Sequence, residues 1–130
     1  PLKDVYKTKV YELSKWRNTT SKTNNFSVKK PIPNNILLKE PSAELAFDQK
    51  DTDSLPSYDE LDSILECLIE EDLSINEVIE KGFSEKIVSK VKDLLHLSEY
   101  KRYQACPGPK ISRRPFALGR RIPVVNHWRD

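Results

Sequence analysis

Residues 38–62 read LKEPSAELAFDQKDTDSLPSYDELD and hold the densest chemical content of the chain. Ser42 stands between Glu40 and Glu44, directly after Pro41. A hydroxyl so placed can hydrogen-bond a phosphate oxygen or ligate magnesium, which takes one or two carboxylates plus substrate oxygens. Asp48, Asp51 and Asp53 alternate with Gln49, Lys50 and Thr52. That spacing does not fit a calcium loop, which needs a Gly and a terminal Glu at set positions. Lys7 falls in the first turn of an expected helix, where an ammonium and the helix N-terminus both favour anions. Glu99-Tyr100-Lys101-Arg102-Tyr103 interleaves cations with aromatics, a mixture suited to phosphates and flat rings. Taken singly, each has an ordinary alternative. On its own, Lys7 reads first as a solvated lysine, the Ser42 turn as a plain proline turn and the aspartates as a solvated loop. The aromatic-basic run reads first as a structural helix with snorkelling bases.

The bulk numbers bound what these groups can belong to. The 130 residues suffice for one domain of ordinary size, and 37% hydrophobic with 32% charged residues is a lean but not a disordered composition. The net charge of +2 hides a strong asymmetry. Residues 1–39 carry nine Lys/Arg and two Asp/Glu, residues 40–99 five and seventeen, residues 100–130 eight and one. The acidic middle can pair with the basic ends, or the ends can bind a polyanion. Cys67 and Cys106 lack CxxC spacing, which points to free thiols and a reducing, cytoplasmic setting. No apolar run reaches the length of a membrane span. The chain begins at Pro1 and contains no Met, so it reads as a piece of something longer. None of its three glycines falls in a GxGxxG or GxxxxGK arrangement, so the usual phosphate loop is not in this piece.

The elements that must position the chemical groups are helical. Asp4 is expected to cap a first helix over residues 5–17, with Tyr6, Val10 and Leu13 on one face. Residues 18–35 are polar with two prolines and read as a surface loop, and Ile36-Leu37-Leu38 as a strand end or loop anchor. Ser57 with Glu60 and Ser74 with Glu77 make two capping boxes. The first opens a stripe of Leu61, Ile64, Leu65, Leu68 and Ile69, the second one of Ile75, Val78 and Ile79. Gly82 suits a left-handed C-terminal position. Ser84 caps a helix carrying Val91, Leu94 and Leu95, with Phe83 stapled onto Ile87 or Val88. Ser98 caps a short helix with Tyr100, Lys101 and Tyr103. His96 lies on a helix and His127 in the tail, neither with partners at metal spacing. Beyond Cys106-Pro-Gly-Pro the chain is basic and extended.

In order, PLKDVYKTKVYEL, KEPSAEL, DQKDTDSLPSYDELDSIL, the Gly-Phe helix break and EYKRYQACPGPKISRRPF ending in RRIPVVNHW are specific together where each alone is not. In these blocks the chain resembles the C-terminal part of the synthetase domain of bacterial glutamine-dependent NAD(+) synthetases. The resemblance covers nearly everything except residues 18–33. It implies a ligase that activates the nicotinate carboxylate of deamido-NAD with ATP and Mg²⁺, then admits ammonia drawn from glutamine to give NAD. By family position, Lys7 and Ser42 contact ATP, and Lys101, with Tyr100 beside it, binds deamido-NAD. Residues 44–56 match a mobile loop that closes over the site, with Asp51 and Asp53 as its charge carriers and catalytic candidates. No metal ligand is assigned within this piece. The pyrophosphate loop, the metal-binding glutamate and the glutaminase nucleophile are expected upstream of Pro1, so the piece alone is expected to be inactive. Cys106 stands where the family usually has Ala, and no chemistry is assigned to it.

The fold expected is therefore a mainly α fragment of an α/β Rossmann-like domain of the ATP-pyrophosphatase, adenine nucleotide alpha-hydrolase-like type. It comprises a first helix at 1–17, loops over 18–57, a helical region at 58–104 and a basic tail at 105–130. Three to four helices are expected, with at most a short strand. The resemblance implies a homo-oligomer, at least a dimer, through the synthetase domain; alone, with apolar surface that would face the missing sheet, the piece is expected to dimerise, cling to a partner or be partly mobile. Membrane and nucleic-acid partners are not expected. The competing reading is a small helix-turn-helix-like nucleic-acid-binding module, with Gly82 in the turn, residues 84–95 as recognition helix and the basic tail as an arm. Glu85, Lys86, Lys90 and Lys92 make a mixed face, unlike the Arg, Asn and Gln that read bases. A purely structural interaction domain is a third reading.

Overall fold

The computed structural model describes residues 2–20, 30–39, 55–115 and 123 of the chain. Six α-helices form among these residues, more than the three or four expected, and no strand does. The chain divides into two compact units, Tyr6–Leu55 and Pro1–Val5 with Pro56–Asp130.

The unit Tyr6–Leu55 holds α1 (Lys7–Thr19) and α2 (Asn34–Leu38). The expected cap at Asp4 is a correction: α1 starts at Lys7 with Tyr6 at its N-cap and no side-chain cap bond. Asp4 is engaged elsewhere. Its carboxylate accepts from the backbone N–H of Ile111 (2.7 Å) and of Ser112 (2.8 Å), and from the Ser112 hydroxyl (2.9 Å). Three donors to one carboxylate outweigh the single bond that a helix cap would offer. The stretch Ile36-Leu37-Leu38 is a second correction, being the end of α2 rather than a strand end. Five residues are too few for a helical period to show in the sequence. Asn18, buried at the end of α1, sets where α2 begins. Its Nδ2 donates to the carbonyl of Ile32 (2.8 Å), and its Oδ1 accepts from the Ile32 N–H (3.1 Å). One amide side chain thus satisfies both backbone groups of a residue that no helix or sheet pairs.

In the other unit, α3 (Tyr58–Ile69), α4 (Ile75–Glu80) and α5 (Glu85–Leu97) pack on one another, and α6 (Glu99–Gln104) packs on α5. Ile64, Cys67, Leu68 and Ile69 of α3, Val78 of α4, and Val88, Val91 and Leu95 of α5 make the core. Leu61, Leu65, Leu73, Ile75, Ile79, Phe83 and Ile87 pack around it. The expected stripes thus face the core, some residues buried and others half-buried, apart from Leu94, which is 38% exposed. At 100° per residue it lies about 60° beyond Val91, outside the arc set by Val88, Val91 and Leu95. Cys67 and Cys106 are both free thiols, the first buried and the second exposed.

Local chemistry fixes the breaks. Asp72 takes φ 59° after α3, a conformation that short polar side chains tolerate, and pairs with Arg114 at 2.7 Å. Gly82 takes φ 102°, and nothing lies within 4 Å of where a Cβ would sit, so the backbone angle alone demands glycine there. Lys81, at the C-cap of α4, pairs with Glu71, whose hydrogen bond holds the ammonium above its usual pKa range. Of the two expected capping boxes, Ser74 forms the full reciprocal one with Glu77, whereas at Ser57 the cap bond is that of the side chain accepting from the N–H of Glu60. Ser84 occupies its N-cap without a side-chain bond.

The box on α4 gives a test with a defined sign. Hydrogen bonds from the Ser74 hydroxyl and backbone N–H hold the Glu77 carboxyl below its ordinary 4.5. A depressed folded-state pKa means the folded chain prefers the carboxylate. That stabilisation is fully present above 4.5 and disappears as pH falls through the lowered value. Ser74→Ala is expected to reduce the protection of α4 amides by about 1 kcal/mol at neutral pH. Glu77→Gln is expected to differ from the unmodified protein at pH 7 and to converge with it on acidification below 4.5. Amide hydrogen exchange over this pH range checks both.

Candidate functional site

Among the described residues, the chemistry collects on α6 and on the segment that follows it. The helix is short, and its N-cap Ser98 makes no side-chain cap bond; the Ser98 hydroxyl instead donates back to the carbonyl of Leu95 (3.1 Å). So brief a helix gains little from its own hydrogen bonds and depends on packing. Glu99 supplies it: only 2% exposed, it forms an ion pair with Arg102, whose side chain is 12% exposed. The acid lies in the first turn and the cation in the last, the arrangement that the helix dipole favours. Tyr100 and Lys101 then point outward, and the Lys101 Nζ stands 6.0 Å from the centre of the Tyr100 ring, at the outer limit of a cation–π contact. Tyr103 is exposed beside them. An ammonium beside a flat phenol, both open to solvent, can take a negatively charged or planar aromatic group at little desolvation cost.

The chain beyond α6 is fastened to the beginning of the unit. The Nζ of Lys3 donates to the carbonyl of Cys106 (3.1 Å), and the Asp4 carboxylate gathers Ile111 and Ser112. Arg114 reaches Asp72, and Pro115 is buried. The first residues of the basic tail are thereby held against the helical unit. Lys110 and Arg113 are exposed on this held stretch.

Of the residues singled out in the sequence, Tyr100 and Lys101 are brought together on α6. Lys7 is exposed at the first position of α1, a helix with no acidic residue in its first turn. Ser42, Asp51 and Asp53, with most of the expected loop at 44–56, lie outside the described residues. His96 is on α5 as expected, and His127 is outside the described residues. No group of three or more His, Cys, Asp or Glu side chains among the described residues is placed to hold a metal ion. No helix among them is long and apolar enough to cross a membrane. Sequence reading missed two contributors. The Glu99–Arg102 pair left a signal, opposite charges three residues apart on a helix. The Asp4–Ser112 link left none, because the two are 108 positions apart.

The family model for NAD synthase matches residues 1–105. The chain belongs to the NAD synthase family. It is similar to the glutamine-dependent NAD(+) synthetase of Acinetobacter baylyi, 53% identical over 128 residues that make up 98% of this chain and 23% of the relative. The same enzyme of Rhodobacter capsulatus is 47% identical over 131 residues, covering all of this chain and 24% of the relative. Among solved structures, the glutamine-dependent NAD+ synthetase from Acinetobacter baumannii in complex with adenosine diphosphate matches at a TM-score of 0.56 and 42% identity. That match covers 98% of this chain and 20% of the other. The chain therefore spans about a quarter or less of the relatives it resembles. The helix-turn-helix reading draws no support from these comparisons.

Proposed function

We propose that this chain is the C-terminal part of the synthetase domain of a glutamine-dependent NAD(+) synthetase, a carbon–nitrogen ligase. In this reading the complete protein transfers the adenylyl group of ATP to the nicotinate carboxylate of deamido-NAD, releasing pyrophosphate. Ammonia from glutamine then displaces AMP to give NAD⁺. The observation that carries the reading is the family match over residues 1–105, which contains every site residue identified from the sequence. The helices described here would flank the parallel, Rossmann-like sheet of an ATP-pyrophosphatase-type domain that the rest of the protein supplies. The exposed Leu13 and Trp16 of α1 are surface that such a domain, or a second copy in a homodimer, would cover.

Each residue has a task set by its chemistry. Lys7 and Ser42 hold ATP phosphates, the first by charge and the second by hydrogen bonding. Charge accumulates on the leaving pyrophosphate, so cations aimed there stabilise the transition state more than the ground state. Mg²⁺ enters as the counter-ion of ATP, and no step is assigned to it through the described residues. Lys101 holds an anionic group of deamido-NAD, and Tyr100 offers a flat face to it. By family position, Asp51 and Asp53 would carry charge at the reactants, where excluding water protects the acyl-adenylate from hydrolysis. The complete protein, given ATP, deamido-NAD and glutamine, is expected to release pyrophosphate and form NAD⁺, while the 130-residue chain alone does neither. Absence of amidation by the complete protein would refute the assignment. Turnover by the chain alone would refute its status as an incomplete piece.

A further inference from the structure

We propose that Asp4 is a positioning residue for deamido-NAD binding, its carboxylate anchoring the segment that leaves α6 and so holding Lys101 and Tyr100 in place. The inference rests on the reading of Tyr100 and Lys101 as part of the deamido-NAD site. The helix has six residues and no side-chain cap bond at its start, so its own backbone holds it weakly. Its first end is tied to α5, because Ser98 is the C-cap of one helix and the N-cap of the other. At its far end the last backbone bond runs from the N–H of Ala105 to the carbonyl of Lys101 (3.0 Å). Beyond that bond, the helix is held only as firmly as the chain that follows it.

That chain is stiff and pinned from outside. Proline fixes its own φ, offers no N–H and pushes the residue before it out of helical conformation. Ala105 is already extended (φ −72°, ψ 145°), and Pro107 and Pro109 follow it on either side of Gly108. The Nζ of Lys3 donates to the carbonyl of Cys106 (3.1 Å), just past the helix. Oδ2 of Asp4 then accepts from the N–H of Ile111 (2.7 Å) and of Ser112 (2.8 Å). The Ser112 hydroxyl donates to the same carboxylate, 2.9 Å from Oδ1 and 3.0 Å from Oδ2. Hydrogen bonds to a carboxylate are about twice as strong as neutral ones. Lys3 and Asp4 lie in the same compact unit as α6 but far from it in sequence, so their bonds restrain the helix from outside and do not move with it. Without the Asp4 carboxylate the next fastenings are the Arg114–Asp72 pair and the buried Pro115, further along the chain. The far end of α6 is then free to fray or swing. A substrate held by Lys101 and Tyr100 would meet them misplaced, although neither had been altered.

The test is steady-state kinetics of the complete synthetase with ATP and deamido-NAD, joined to amide hydrogen exchange. Asp4→Ala is expected to raise the KM for deamido-NAD roughly five- to tenfold while the KM for ATP stays within about twofold, since the displaced contacts serve one substrate only. The amides of α6 are expected to exchange faster, while those of α3, α4 and α5 keep their protection. Asp4→Asn can set its carbonyl oxygen where Oδ2 stands and its NH₂ against the Ser112 hydroxyl, so it is expected to lose less. Ser112→Ala weakens the clamp from its other side, leaving the chain around Asp4 and Lys7 unaltered, and is expected to give the same split in smaller measure. Because Asp4 acts through α6, its loss and that of Lys101→Ala are expected to combine to less than their product in the double variant. A general structural role gives a different pattern: both KM values rise alike, α3 to α5 lose protection as well, or the two losses multiply. Any of these overturns the proposal. Should Asp4→Ala fail to yield folded protein, Asp4→Asn and Ser112→Ala carry the same test. If Lys101→Ala impairs binding and the Asp4 and Ser112 variants do not, only this proposal fails. If the unmodified enzyme makes no NAD⁺, or Lys101→Ala changes nothing, the site reading fails and this proposal with it.

Discussion

Lys101→Ala in the complete synthetase is expected to raise the KM for deamido-NAD by roughly 10- to 100-fold, the worth of one charge-assisted hydrogen bond of about 1.5–3 kcal/mol. The effect should fall on KM more than on kcat. A contact to a part of the dinucleotide that does not react is present before and during the chemical step, so its loss weakens both equally. Lys101 is exposed on α6, and its removal leaves no buried partner stranded, so the melting temperature is expected to change little. Arginine is not an adequate replacement, because a planar fork places its donors differently from a single ammonium on a flexible stem. Unchanged KM in Lys101→Ala would remove α6 from the deamido-NAD site.

The second large effect concerns stability. Ile64→Ala, at a fully buried position in the middle of α3, is expected to lower the protection of α3, α4 and α5 amides by about 3 kcal/mol, or roughly a hundredfold faster exchange. Among the described residues the core of this unit has eight buried apolar side chains, and α3 contributes half of them. A cavity at Ile64 borders residues from more than one helix, which limits how far the gap can close. Ile64→Val removes one methylene and is expected to cost about 1 kcal/mol. Hydrogen exchange of the complete protein distinguishes the two, and equal, small losses in both would show that this position is not the packing centre.

The helices around that core were readable because their signals are local. Ser57, Ser74, Ser84 and Gly82 mark starts and stops within a few residues of the events they control, and the apolar stripes between them repeat at 3.6 residues. Asp4 shows the opposite case. An aspartate just before an amphipathic run has the form of a helix cap, and nothing nearby reveals that Ile111 and Ser112 hold it instead. The α2 helix failed to register for another reason: Ile36 and Leu38 are exposed, so burial left no periodic trace to read. For the site, residue type and order were enough to indicate the family, since several ordered blocks constrain one another. They did not show that Glu99 is buried, a property that composition does not record. Lys7 and Lys101 belong to different units, and nothing local to either residue in the sequence links it to the other.

The amide of Asn18 has a further consequence. By gripping both backbone groups of Ile32, it fastens together the two ends of the stretch 18–32. With the mouth fixed, lengthening such a stretch is inexpensive: each doubling adds only about 0.6 kcal/mol of closure entropy. Evolution can therefore edit the sequence between these two anchors, and an engineer can graft a peptide tag there, without disturbing where α2 begins.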